Sequence, residues 1–267
     1  MKNYVALCVD RARFELRTTL RDRGTVMFSV LLPIFLLVIF GSVFGKGSIY
    51  AGSNVTFAQY MVAGLLASGL IYGAFQQLAI AIPEERSNGT LKRLVGTPMP
   101  KSVYFVGKLA VSAFIYIFQA IALLGLGHLF YNIHMPVSTH LWLIFIGVSI
   151  LGLISSALLG VAFSSLAKDG KSASALAAPL VLFFQFTSGV FFVYASLPKW
   201  MQDIAAVFPL KWLAQSMRGV FLPASFSSHE VAQSFEFGRG FLILAAWSII
   251  ASALCWRTFR WLGKGRD

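Results

Sequence analysis

The segment whose residue types and order are most informative about chemistry is Pro83-Glu84-Glu85-Arg86-Ser87-Asn88-Gly89-Thr90-Leu91-Lys92-Arg93-Leu94-Val95-Gly96-Thr97-Pro98-Met99-Pro100. The order suits a short helix. Pro83 fits a helix's first turn. Glu84 and Glu85 complement the positive end of its dipole, and Lys92 and Arg93 the negative end. Leu91, Leu94 and Val95 give it an apolar stripe; Gly96 and the prolines stop it. The chemistry such a segment offers is charge pairing. Carboxylates gain nothing from an anionic lipid surface, so the acidic pair points to a basic protein partner. The alternative is a well-capped solvated loop.

Other candidates are weaker. Gly41–Gly47 looks like a phosphate-binding loop, but it is one residue short and lacks the Ser or Thr after Lys46. It also follows an apolar run instead of a strand. His128, His134 and His140 flank one loop with no cysteine or carboxylate nearby, and read as interfacial histidines instead of metal ligands. Cys8 and Cys255 are the only cysteines, and neither a disulfide nor a zinc site is expected.

The elements that position residues 83–100 are six long apolar stretches, roughly Thr25–Gly45, Phe57–Ile82, Leu109–Phe130, Leu141–Ala167, Ser172–Leu197 and Gly240–Trp256. A helix needs about 20 apolar residues to cross a bilayer, and only the last stretch is short of that. The chain is 57% hydrophobic and 12% charged, with a formal net charge of +12. The placement of that charge excludes nucleic acid as its explanation. Lys2, Arg11, Arg13, Arg17, Arg21, Arg23, Arg86, Lys92, Arg93, Lys101, Lys108, Lys168, Lys171, Arg257, Arg260, Lys264 and Arg266 fall on one side of a six-span arrangement. Lys46, Lys199, Lys211, Arg218 and Arg239 fall on the other. The excess of basic residues marks the cytoplasmic side, so both termini are expected there, in a multi-pass protein of the cytoplasmic membrane.

One all-α domain over residues 1–267 follows. Residues 1–24 read as an amphipathic interface helix against membrane lipid, with Val5, Val9, Ala12, Leu16 and Leu20 at helical spacing. The first apolar run is long enough to be a retained span instead of a cleaved signal, and Pro33 is expected to kink it. The outer segment 198–239 lies between spans five and six. Its two semi-apolar pieces, Leu197–Phe208 and Leu210–Leu222, are split by Pro209. Both are charged and too short to cross, which suits re-entrant or interfacial helices. Lys211 and Arg218 are expected on one face. Small residues four apart, as in Gly64 with Ser68 and Ser156 with Gly160 and Ser164, suit close helix packing within one subunit.

No Asp, Glu, Lys or Arg occupies the middle of any stretch. Ion-coupled carriers bury such groups to bind and release the ion, so ion coupling is disfavoured. Amides and aromatics remain as candidates for a substrate path: Gln76, Gln119, Phe184, Gln185, Phe191 and Phe192. The alternative for the aromatics is lipid or core.

The string Glu85-Arg86 … Gly89-Thr90-Leu91 … Leu94 … Thr97-Pro98 resembles the signature of type-2 ATP-binding-cassette transporter permeases, particularly their drug-efflux branch. Ser188-Gly189-Val190-Phe191-Phe192 and Phe208-Pro209-Leu210-Lys211 are similar to that family as well. Lys92 departs from it, since an acidic residue often follows the Thr-Leu pair. The resemblance implies a permease subunit of an exporter for apolar or amphiphilic cargo, with no catalytic residue of its own. ATP and magnesium would be held by separate ATPase subunits, onto which Glu84, Glu85, Arg86, Gly89, Thr90, Leu91, Leu94, Thr97 and Pro98 would seat a coupling helix. It also implies pairing with a second permease copy or a paralogue. The alternatives are export of a lipid-linked polysaccharide and a non-transporting membrane scaffold or sensor.

Overall fold

A computed structural model describes residues 3–22, 24, 27–44, 47–50, 53–259 and 261. The stretch boundaries Thr25 and Gly45, and Lys46 of the glycine-rich run, lie outside them. Among the described residues the chain is helical, apart from one bridge between Ser48 and Thr56. Helix α1 spans Tyr4–Arg21. A π turn at Met27–Leu31 leads into α2, Leu32–Phe44. Helix α3, Phe57–Ser87, contains a second π turn at Ile71–Gln76. A short α4, Thr90–Val95, precedes α5, Lys101–Tyr131, and α6, Thr139–Phe163. Helix α7 is Gly170–Thr187, α8 is Lys199–Val207, α9 is Pro209–Phe221 and α10 is Phe237–Thr258.

Four of these helices are long and apolar enough to cross a membrane: α3, α5, α6 and α10. The two other expected spans are shorter than the sequence suggested. The first apolar helix is Ser29–Phe44. Pro33 lacks the N–H that would close the preceding α-turn, and the chain adopts π geometry just before it. The fifth was expected to run to Leu197, but α7 ends at Thr187 after 18 residues. Gly189 then takes a left-handed conformation, φ 77°, and turns the chain back over α3. There Val190 lies so close to Gly64 that a Cβ on the glycine would stand 2.9 Å from the Val190 Cα.

Helix α9 corrects a further expectation. An interfacial helix was one option, yet all thirteen of its residues are buried, against α3, α6 and α10. Its lower half reaches the middle of the bundle: a Cβ on Gly152 of α6 would meet Leu213 of α9 at 2.6 Å and Leu70 of α3 at 2.7 Å. One of its two charges, Arg218, is matched at the far end. Arg218, fully buried, donates from Nε to Glu230 at 2.5 Å, from Nη2 to the other oxygen of Glu230 at 3.1 Å, and from Nη1 to the Gly189 carbonyl at 3.4 Å. Its guanidinium also lies 5.0 Å from the Tyr60 ring centroid. Burial alone would lower the pKa of Arg218; the Glu230 carboxylate raises it on balance. One arginine thus ties α9, the turn after α7, the 3₁₀ turn Ala224–His229 and α3 into a single distal cap. The proximal end of the bundle, opposite this cap, carries α1, α4 and the α6–α7 turn.

Candidate functional site

Residues 84–98 cluster at the proximal end, but differently from the expected separate helix. Pro83 does not start a helix. It lies buried inside α3, which continues to Ser87. Glu84, Glu85 and Arg86 therefore extend the long helix itself and cannot complement the start of a short one. Gly89 makes the break: it is left-handed, φ 79°, and its carbonyl accepts from Arg93 N at 3.1 Å to open α4. The side chain of Asn88 holds Thr90 N at 3.0 Å, and the Thr97 hydroxyl donates to the Leu94 carbonyl at 2.7 Å. Leu91 is fully buried against Leu78, Ile82 and Tyr104, with Leu94 packed beside it. Lys92, Arg93, Val95, Thr97 and Pro98 are exposed.

The three charged residues before the break point to three different elements. Glu85 pairs with Lys108 and accepts from the Tyr104 hydroxyl at 2.7 Å, both on α5. Lys108 also pairs with Glu15 of α1 at 2.8 Å, and Glu15 with Arg11. Arg86 donates to the carbonyl of Ser164, at the end of α6, at 3.3 Å. Its Nε and Nη2 are buried without a hydrogen-bond partner. Glu84 lies against Gly170, the first residue of α7: a Cβ there would meet the Glu84 Cβ at 3.0 Å. A displacement of this segment therefore acts on α1, α5, α6 and α7 together.

Sequence reasoning missed Glu15, Tyr104, Lys108 and Trp261. Arg11 with Glu15, and Tyr104 with Lys108, are each four residues apart, the spacing of neighbours on one helix face. The apolar stripe of α1 supplied the complementary signal. Val5, Val9 and Leu20 are exposed, while Glu15 is buried toward α5. Trp261 had no local signal. It packs edge-on to Tyr104, 5.6 Å between centroids, and borders a hollow of about 290 Å³ with Leu94, Thr97, Pro98 and Met99.

The expected substrate-path residues do not converge. Gln119 is buried over Gly69 and donates to the Leu65 carbonyl at 3.4 Å. Gln185 is buried facing the Tyr72 hydroxyl, without a well-aligned hydrogen bond. The Oε1 atom of Gln76 is buried and unpartnered. Phe191 stacks on Phe40, 6.5 Å between centroids, and Phe192 is exposed. Phe184 alone borders a sizeable cavity, of about 330 Å³. Its wall is formed by Ile71 and Phe75 of α3, the end of α6, Leu180 of α7, Phe208 and Pro209, and Trp247, Leu254 and Thr258 of α10. The histidines are ordinary in their contacts where these are defined: His128 Nδ1 lies 3.1 Å from the Ile133 carbonyl.

Known proteins sharpen this picture. The ABC-2 type transporter family matches residues 8–222. The "probable multidrug ABC transporter permease YbhR" of Escherichia coli (strain K12) is 24% identical over 176 residues, covering 63% of this chain and 45% of that protein. The chain thus spans under half the length of that curated relative. The "putative transport permease ycf38" of Porphyra purpurea is 24% identical over 207 residues, 75% of this chain and 69% of that one. With a match that runs from α1 through the end of α9, over apolar helices and the charged segment at 84–98, the chain belongs to the ABC-2 type transporter family.

Proposed function

We propose that this chain is the membrane-spanning subunit of an ABC exporter, moving an apolar or amphiphilic compound across the cytoplasmic membrane with ATP hydrolysed by separate subunits. The observation that carries the reading is the placement of residues 84–98. One surface-exposed turn, broken at Gly89, is joined by charge pairs and close packing to α1, α5, α6 and α7. A partner that closes on ATP and drags this turn biases four elements at once, which is what a transition between two packed states needs. The exposed α4 residues Lys92, Arg93 and Val95 are available to that partner. Glu85 is not, because Lys108 and Tyr104 hold it inside.

In this reading the proximal end faces the cytoplasm, α1 lies in the interface, and α2 and α7 complete six spans. Their shortness is met by local bilayer thinning and by neighbouring helices. The α8–α9 pair enters from the outer side and turns at Phe208-Pro209 near mid-depth. A YbhR-like efflux cargo fits the apolar interior better than a glycan does.

The test is to co-express the chain with candidate ABC ATPases from the same organism, purify it, and reconstitute any complex in liposomes. Stable co-purification and ATPase activity that responds to apolar compounds are expected. A chain that binds no ATPase and leaves its activity unchanged is a scaffold or sensor, and the proposal fails.

A further inference from the structure

The 330 Å³ cavity has a shape and a charge pattern that the permease reading does not use. Helix α7 leans on α3 and α8, whereas α10 leans on α6 and α9, and neither α6 nor α10 packs along α7. The cavity fills this cleft. Its inner wall is the π turn of α3, where the extra residue turns Ile71 and Phe75 toward the cleft. A Cβ on Gly160 of α6 would stand 2.5 Å from the Phe75 carbonyl, so α6 and the π turn seal that wall.

The distal end of the cavity is closed by the tip of the α8–α9 pair. Phe208 lies 4.1 Å from Phe184 and stacks on Trp247 at 6.0 Å, and Trp247 Nε1 donates to the Val207 carbonyl at 2.7 Å. The proximal end is formed by Ser165, Leu166 and Thr258, the last residues of α6 and α10 and their continuation. Around that end the charge is basic. Lys168, Lys171 and Arg257 are exposed within a few residues of the rim. Arg86 reaches the adjoining Ser164 carbonyl with two of its nitrogens unpartnered. Two acids stand nearby, and the four basic groups outnumber them: Asp169 caps α7 through Ser172 N at 2.8 Å, and the exposed Glu84 lies on Gly170.

We propose that this cleft binds a single-chain anionic amphiphile of the proximal leaflet. Its hydrocarbon tail lies along Leu180, Phe184 and Leu254, and its anionic head sits at the Ser165–Thr258 rim among Arg86, Lys168, Lys171 and Arg257. Three features commit the occupant. The volume is near the lower end of small-molecule pockets, about 300–1,000 Å³, which suits one chain and not two. The wall offers almost no hydrogen-bonding group, so only the rim can recognise a polar head. The charge there is positive. The proposal deepens the permease reading and rests on it for the view that the bound amphiphile is cargo.

The experiment uses the full chain in neutral detergent and a diazirine-bearing palmitic acid, with the diazirine alkylamine of the same chain as the cationic comparison. Photolabelled residues are mapped by mass spectrometry. We expect labelling of α6, α7 and α10 at the cleft that plain palmitate competes away, and about fivefold weaker labelling by the amine. Non-saturable labelling is expected at the lipid-facing Ile117, Phe118 and Ile121 of α5. Ala162→Phe or Leu180→Trp should abolish the saturable labelling, and Ile150→Phe, on the exposed face of α6, should not. Removing Lys168, Lys171 and Arg257 together as glutamines should weaken it by at least about fivefold, the effect of one basic residue near an anionic surface. Equal labelling by the amine, or labelling no more saturable than on α5, overturns the proposal. So does protein–protein cross-linking from a photoreactive residue at position 180, which would place a second copy over the cleft. The assay contains no ATPase. Failed labelling with intact ATPase coupling sinks the amphiphile site alone, and saturable labelling without coupling sinks the permease reading alone.

Discussion

Lys108 on α5 and Glu85 at the end of α3 form an ion pair that Glu15 of α1 completes from the other side of the ammonium. The carboxylate that sequence reading would send to a partner protein is held within the chain itself. The cluster of Arg11, Glu15, Glu85 and Lys108 is neutral and almost wholly buried, so losing one member leaves an unmatched charge. Lys108→Met is expected to destabilise the purified protein by about 3–5 kcal/mol. Lys108→Met combined with Glu85→Gln should recover a large part of that loss, since Glu15 keeps Arg11. Thermal unfolding midpoints in detergent measure both. A Lys108→Met variant that melts with the parent would show that the cluster contributes nothing to stability.

Gly89 sets the direction of α4 by a left-handed backbone, and no neighbouring atom lies within 4 Å of where its Cβ would be. Sterics therefore come from the backbone alone. Gly89→Asn should be tolerated, because Asn visits this region readily, whereas Gly89→Val should strain the break by roughly 1–2 kcal/mol and re-aim α4. In co-purification with the ATPase, normalised to permease in the membrane, Val should lower partner recovery and Asn should not. Equal recovery for the two would remove the case for a precisely aimed α4.

Arg218 and Glu230 make a bidentate pair at the distal cap, with the guanidinium fully buried. Glu230→Gln is expected to cost about 3–5 kcal/mol, since it leaves the cation uncompensated among Tyr60, Tyr194 and the Gly189 carbonyl. Arg218→Leu together with Glu230→Leu should melt closer to the parent than either single change. A cycle showing no coupling between the two positions would mean that the cap is held by packing alone.

The class of fold was legible because bilayer thickness writes itself into the length of apolar runs. The four helices α3, α5, α6 and α10 meet that length, and Pro209 marks the α8–α9 break as the sequence indicates. The end of α7 was not legible. Val190, Phe191 and Phe192 are as apolar as a span, and only the packing of Val190 on Gly64 shows that the chain has turned. The same holds for Pro83. Its local preference is a helix start, but the long α3 overrides it, and the motif became part of that helix. Lys108 was counted by its side of the membrane, when its role depends on Glu15, ninety-three positions away.

The side on which each end lies is testable without transport. Ser87 at the proximal end, and Ser138 and Ser228 at the distal end, are all exposed. In a chain whose Cys8 and Cys255 are replaced by serine, single cysteines at 138 and 228 should react with a membrane-impermeant thiol reagent in intact cells. A cysteine at 87 should react only after lysis. Labelling of position 87 from outside would invert the proposed orientation.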